Sequence, residues 1–175
     1  MTTLFVDEGK RQGYVIVAAV VADGDTAQLR KNVTALRTPG SERIHFVRES
    51  DGRRRTLLRE FARLGVRTTV FQATGLDDRA ARAWCLDQVV ELAGTLPAGR
   101  IVLERDDSIV QTDNRTLYGA VRARDIHDRV RYEHLRAAGE PLLSLPDAVA
   151  WSFGRGGAWG PLVDPLIEQV QRYSG

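Results

Sequence analysis

Three stretches of this sequence put carboxylates where chemistry could use them. Asp7-Glu8 ends the apolar run Leu4-Phe5-Val6, Glu104 ends Ile101-Val102-Leu103, and Asp147 follows Pro146. Asp106 and Asp107 stand close behind Glu104. Carboxylates gathered at one point repel one another, so each is pushed toward its protonated form unless a cation neutralises the set. Mg²⁺ and Mn²⁺ suit such a set, because they prefer carboxylate oxygen and keep waters for reaction. Two such ions about 4 Å apart can activate a water and stabilise the leaving oxygen of a phosphodiester. Each acid also has a plainer role open to it. Asp7-Glu8 before Gly9 could form a turn, Glu104 to Asp107 a solvated loop, and Asp147 could serve only the helix macrodipole.

The elements that would carry these acids follow from apolar spacing. Leu4–Val6 and Tyr14–Ala22 flank the short turn Lys10-Arg11-Gln12-Gly13, the pattern of an antiparallel hairpin. Asp25–Leu36 reads as a short helix or loop, broken at Thr38-Pro39-Gly40. Arg43–Val47 alternates and predicts a third strand. Arg53–Leu64 reads as a helix capped by Ser50 or Asp51, and Val66–Phe71 as a fourth strand. Asp77–Leu96 predicts a long amphipathic helix, and Ile101–Glu104 a central strand. A variable charged segment at about 107–139 reads as partly helical, Leu142–Leu145 as a last short strand, and Pro146 as a first helical position. Leu162–Tyr173 predicts a final helix.

That order predicts one α/β domain over residues 1–175: a three-strand meander, then alternating helices and strands, in a mixed sheet with helices on both faces. If the first and fifth strands are neighbours, Asp7 and Glu104 lie side by side, and Asp147 can face them both. Glu8 should point to the opposite face of its strand.

Composition narrows the class of protein. Of 175 residues, 43% are apolar and 27% charged, which suits a globular domain rather than a disordered chain. No apolar run of about 18 residues occurs, so no membrane span is expected, and no export signal opens the chain, so a cytoplasmic protein is expected. Cys85 is alone, which rules out an internal disulfide and a paired-cysteine zinc site; it reads as a small buried hydrophobe. The net charge is +2 with lysine only at Lys10 and Lys31, so arginine carries nearly all the positive charge. Arginine suits phosphate, but an even arginine excess fits genome composition as well or better; if the chain acts on nucleic acid, Arg115, Arg122, Arg124, Arg129 and Arg131 are the candidate contacts. His127 and His134 are two helical turns apart, too far for an adjacent-turn metal pair, and read as surface residues. Neither a Gly-x-Ser-x-Gly elbow nor a phosphate-binding glycine loop is present.

The topology and the acids together resemble the ribonuclease H-like fold. More closely, the chain is similar to a bacterial domain-of-unknown-function family. Its members open with a strand ending Asp-Glu-Ser-Gly, carry an acid on a later central strand, and close with an Ala-Asp-Leu-Ile-Ala-type helix. The matching residues here are Phe5-Val6-Asp7-Glu8-Gly9, Val102-Leu103-Glu104 and Leu145-Pro146-Asp147-Ala148-Val149-Ala150. The opening serine is missing, and glutamate stands for the more usual aspartate on the central strand. The resemblance implies a nuclease or phosphodiesterase dependent on Mg²⁺ or Mn²⁺, with Asp7, Glu104 and Asp147 as metal ligands and nucleic acid as substrate. Glu8, Glu42, His45 and Asp107 are second-rank candidates. The alternative expectation is a binding or scaffold protein that keeps the fold without turnover.

Overall fold

The structure is a computed structural model that describes residues 1–97 and 99–175. The opening hairpin forms as its apolar runs predict, with β1 (Thr2–Gly9) antiparallel to β2 (Tyr14–Ala22). Its turn needs Gly13, which sits at φ 72°. A Cβ there would stand 2.7 Å from Thr74 Cγ2 and 2.8 Å from the Ala73 carbonyl oxygen, so a side chain meets both strain and a clash.

After α1 (Thr26–Ala35) a connecting strap leads to α2 (Asp51–Arg63), then β3 (Arg67–Ala73) and α3 (Asp78–Thr95). Side chains cap both α2 and α3, α2 through Ser50 as its sequence suggests. Ser50 Oγ accepts from the Arg53 N–H at 3.2 Å, and Asp77 Oδ1 from the Ala80 N–H at 2.9 Å. There follow β4 (Gly99–Glu104), α4 (Val110–Ala123), β5 (Val130–Leu135), α5 (Ser144–Arg155), the short α6 (Gly160–Val163) and β6 (Ile167–Arg172).

One six-stranded mixed sheet results, in the order β5-β4-β1-β2-β3-β6. β1, β2 and β3 form an antiparallel meander, β4 and β5 continue it parallel to β1, and β6 lies parallel to β3. Strand alternation sorts the core into two layers. Phe5, Val15, Val17, Val70 and Val102 pack with α1, α2 and α5 on one face, and Leu4, Val6, Ile16, Ile101 and Leu103 with α3 and α4 on the other. This same alternation sends Asp7 and Glu104 toward the α5 face and Glu8 toward the other.

Several expectations are corrected. Arg43–Val47 is not a strand: it is a strap ending in a 3-10 turn at Phe46–Arg48. Its alternation arises because Ile44 and Phe46 are buried in the α5-side core while Arg43 and His45 are only half-buried and Val47 is exposed. The third strand of the meander is therefore β3, reached through two helices. Leu142–Leu145 is not a strand either, since Pro141–Leu143 makes a 3-10 turn and α5 begins at Ser144. Pro146 is the third helical residue, still within the first turn, where a missing N–H leaves no intrahelical acceptor unpaired. Leu162–Tyr173 is not one helix: α6 ends at Val163, a 3-10 turn follows at Asp164–Leu166, and Ile167–Arg172 is a strand. Ile167 and Val170 fit helical spacing, yet the unpaired edge of β3 captures this segment as β6. The charged segment 107–139 resolves into α4 and β5.

Cys85 lies in α3 with no exposed surface, beside the Phe71 carbonyl, and burial pushes its thiol up to about 12. The native protein should accordingly leave Ellman's reagent unreacted at neutral pH and release one thiol equivalent per chain on unfolding. Rapid native reaction would contradict the packing.

Candidate carboxylate site

Asp7 and Glu104 come together because β1 and β4 are parallel neighbours. Val6 and Leu103 are the last paired residues, and the two acids stand one position beyond them on the same face. Asp147 approaches from α5, which crosses β1 so closely that a Cβ on Gly9 would lie 3.3 Å from the Ala150 carbonyl oxygen. Burial is the largest cause that raises the Asp7 carboxyl well above its ordinary value, and Asp147 and Glu104 push it further. The Asp147 carboxyl is raised to about 6, again by burial first, with Glu104 adding to it. All three acids are half-buried, and a cavity of about 510 Å³ at the strand ends is lined by Asp7, Glu104, Arg105, Asp106 and Asp107 among others.

Each acid of the trio has a hydrogen-bond partner of its own. The Glu8 N–H donates to Asp7 Oδ1 at 2.7 Å, the Phe46 N–H to Asp147 Oδ2 at 3.0 Å, and Arg43 Nη1 bonds Glu104 Oε1 at 2.7 Å. Among the described residues, no three His, Cys, Asp or Glu side chains are close enough as they stand to hold a metal ion. The donor chemistry nevertheless suits a hard divalent cation. It is all carboxylate oxygen, and its crowding is relieved by positive charge.

The second-rank candidates divide. His45 lies on the strap, its Nδ1 buried with no hydrogen-bond partner among the described residues; burial, then Arg43 and Arg48, hold its pKa below the ordinary value, which keeps the ring neutral. Glu42 is exposed on the rim of a small crevice that Arg43, Glu104 and Asp147 also line. Asp107 is exposed and paired with Arg105 at 2.6 Å. Glu8 faces away from the trio, as strand alternation requires, and joins a network on the α3/α4 side. There Arg82 bonds Asp113 through two nitrogens at 2.6 and 2.7 Å, and also bonds Glu8 and Tyr14. Asp113 also meets His134 Nε2 at 3.2 Å. The His134 side chain is 6% exposed, so this histidine is an interior residue of the sheet rather than a surface one.

The five arginines singled out between 115 and 131 do not make one surface. Arg124 is engaged by Asp87 and Glu91 of α3, and Arg129 by the Gly94 and Leu96 carbonyls. Arg131 pairs opposite Arg100 near the start of β4, about 13 Å of strand away from Glu104. Arg122 lies over the Tyr118 ring, and Arg115 lines a second cavity between α3 and α4.

Sequence reasoning missed Arg43, Phe46, Arg54 and Arg82 as residues that shape these sites. Arg43 had a signal, since it lies between Glu42 and His45, whereas a backbone N–H such as that of Phe46 leaves no trace in residue type. No protein-family model matches the chain, and no curated protein matches it.

Proposed function

We propose that the protein is a divalent-metal-dependent phosphodiesterase acting on nucleic acid, built on a ribonuclease H-like fold. The observation that carries the reading is the convergence of Asp7, Glu104 and Asp147 from β1, β4 and α5 on one side of the sheet, with Asp7 and Asp147 both raised by burial and by neighbouring acids. The strand order supports it: an antiparallel three-strand meander is continued past β1 by two parallel strands. Asp7, Glu104 and Asp147 would hold Mg²⁺ or Mn²⁺, which supplies an activated water and charge stabilisation at a leaving oxygen. The protein's own groups orient the acids: the Glu8 and Phe46 N–H groups fix the Asp7 and Asp147 carboxylates, and Arg43 positions Glu104.

Labelled single-stranded, duplex and hybrid oligonucleotides incubated with Mn²⁺ test this. Cleavage by the wild type should fall about 100-fold or more in Asp7→Asn and Asp147→Asn, because changes even beyond the ligands cost about 10–100-fold. Equal activity in the three proteins removes the site. A non-catalytic scaffold is the second reading, favoured by the Arg43 guanidinium that already satisfies Glu104. It predicts no cleavage and one thermal midpoint with or without Mn²⁺. No helix among the described residues is long and apolar enough to cross a membrane.

A further inference from the structure

Among the described residues, positive charge without an ion-pair partner gathers on the α2/α5 side of the molecule, beside the carboxylates. α2 carries Asp51, Arg53, Arg54, Arg55, Arg59, Glu60 and Arg63 in little more than three turns. Its nearby acids go to particular arginines: Glu49 to Arg53, Asp51 to Arg54, and Glu60 to Arg63. Arg48, Arg55 and Arg155 are exposed and take no ion-pair partner among the described residues.

Two of these guanidinium groups are placed by aromatic rings. Arg155 lies over Trp151 at 5.2 Å and Arg55 over Trp159 at 5.0 Å, and the two indoles meet edge to face at 5.0 Å. A guanidinium stacked on a ring keeps its N–H edge free and loses little freedom when that edge meets phosphate. The cluster adjoins the candidate site directly. Trp151 is one helical turn beyond Asp147 and packs at 5.3 Å on Phe46, whose N–H bonds Asp147. Arg155 is two turns further than Asp147, about 12 Å along α5, a distance that a few nucleotides of a single strand span. Arg54 spans the gap between helix and strap: it bonds the Phe46 and Val47 carbonyls at 2.8 and 2.6 Å and lies 4.2 Å over Trp151.

We propose that this face, centred on Arg48, Arg55 and Arg155, binds the sugar-phosphate backbone of a single-stranded nucleic acid and leads it to the carboxylates. The proposal rests on the phosphodiesterase reading for what lies at the end of the track. A single strand is favoured over a duplex because the arginines alternate with apolar surface: Trp151 is half-buried and Val47 is 54% exposed between Phe46 and Arg48. Unstacked bases can lay their faces on such surface, whereas a duplex keeps its base faces stacked inside.

Fluorescence anisotropy with labelled oligothymidine, oligouridine and a DNA duplex, in EDTA so that nothing is cleaved, tests the assignment. The Arg55→Ala/Arg155→Ala protein should bind both single strands about tenfold more weakly, and the slope of log K against log salt should shrink by about 1.4, the release from two phosphate contacts. Arg48→Ala alone, on the exposed turn, should weaken binding in the same direction, and it gives a reading independent of the stacked rings. The Arg122→Ala/Arg131→Ala protein should bind like the wild type.

Wild-type affinity in both Arg55/Arg155 and Arg48 variants overturns the proposal. An equal loss in the Arg122/Arg131 variant does so too, as does tighter binding of the duplex. Capture of phosphatidylserine vesicles without oligonucleotide binding gives the face to a membrane surface instead and also overturns it. Asp7→Asn separates the two readings: cleavage lost there with strand binding indifferent to the arginines sinks this inference alone, while arginine-dependent binding without any Asp7-dependent cleavage sinks only the phosphodiesterase reading.

Discussion

Asp7→Asn should stabilise the protein in EDTA at neutral pH and, on the phosphodiesterase reading proposed above, abolish cleavage. The Asp7 and Asp147 carboxyls are raised in the folded state, by burial and then by neighbouring acids. A group whose folded pKa exceeds its unfolded one binds its proton more tightly when folded, so protonation favours folding. That stability is complete below the unfolded value near 4 and is lost as pH rises through the folded value, about 6 for Asp147. At about 1.36 kcal/mol per pH unit, ionising Asp147 in place costs about 3 kcal/mol, and ionised Asp7 adds to the strain. Asparagine removes one of the opposing charges, and its Oδ1 can still accept the Glu8 N–H that bonds Asp7. Thermal melts of wild type and Asp7→Asn in EDTA should therefore diverge as pH rises from 4 to 8, the variant melting higher at pH 8. Mn²⁺ should raise the wild-type midpoint and leave the variant unmoved, since a cation that binds only the folded state stabilises it by mass action. Parallel pH profiles for the two proteins would mean that the acids do not strain one another.

The parts of the site that were legible in the sequence share one cause. Asp7 and Glu104 end continuous apolar runs, and such a run fixes both the strand and the face on which its last residue lies. Phe5 and Val102 fall in the α5-side core, so the acids two positions on must share that face. Asp147 was placed by a different signal, the proline before it that marks a first helical turn, and the helix begins two residues earlier than that signal implied, at Ser144.

What stayed hidden depends on chain segments that period-based reading cannot place. The strap 43–48 alternates like a strand because one side of it is buried, and only the lack of a partner strand tells the two apart. β6 has the spacing of a helix, and the edge of β3 decides against it. The paired and unpaired arginines look identical in sequence. Arg124 was a candidate for phosphate and is held by two acids of α3, while Arg55 and Arg155, which drew no notice, are exposed over indoles.

Arg82→Met should cost about 3–5 kcal/mol of folding stability, the usual loss when one partner of a buried charge network is removed. Arg82 is 13% exposed and holds Asp113, which is 1% exposed, through two hydrogen bonds. It also bonds Glu8 and the Tyr14 hydroxyl, residues 74 and 68 positions away, so it ties α3 to α4 and to the opening hairpin. Burial alone would raise the Asp113 carboxyl, yet hydrogen bonds from Arg82 and His134 outweigh it and hold the carboxyl below its ordinary value. A carboxyl depressed by folding lends stability above its unfolded pKa and loses it as pH falls through the folded one. With methionine at 82, Asp113 keeps its burial and loses its strongest partner, so its pKa climbs and its charge becomes a liability at neutral pH. Urea denaturation should show the full deficit at pH 7 and a smaller one at pH 4, where the variant can protonate Asp113. Adding Asp113→Asn to the variant should recover part of the loss at pH 7, because an amide carries no charge to strand in the core. A deficit under about 1 kcal/mol, or one equal at both pH values, would show that solvent satisfies Asp113 without the arginine. The network also reaches the carboxylate trio through one residue: Glu8 is held by Arg82, and its N–H fixes Asp7. On the metal reading proposed above, Arg82→Met should for that reason loosen Asp7 and lower Mn²⁺ affinity without removing any of the three carboxylates, and that loss is read by the same melts that compare wild type with Asp7→Asn.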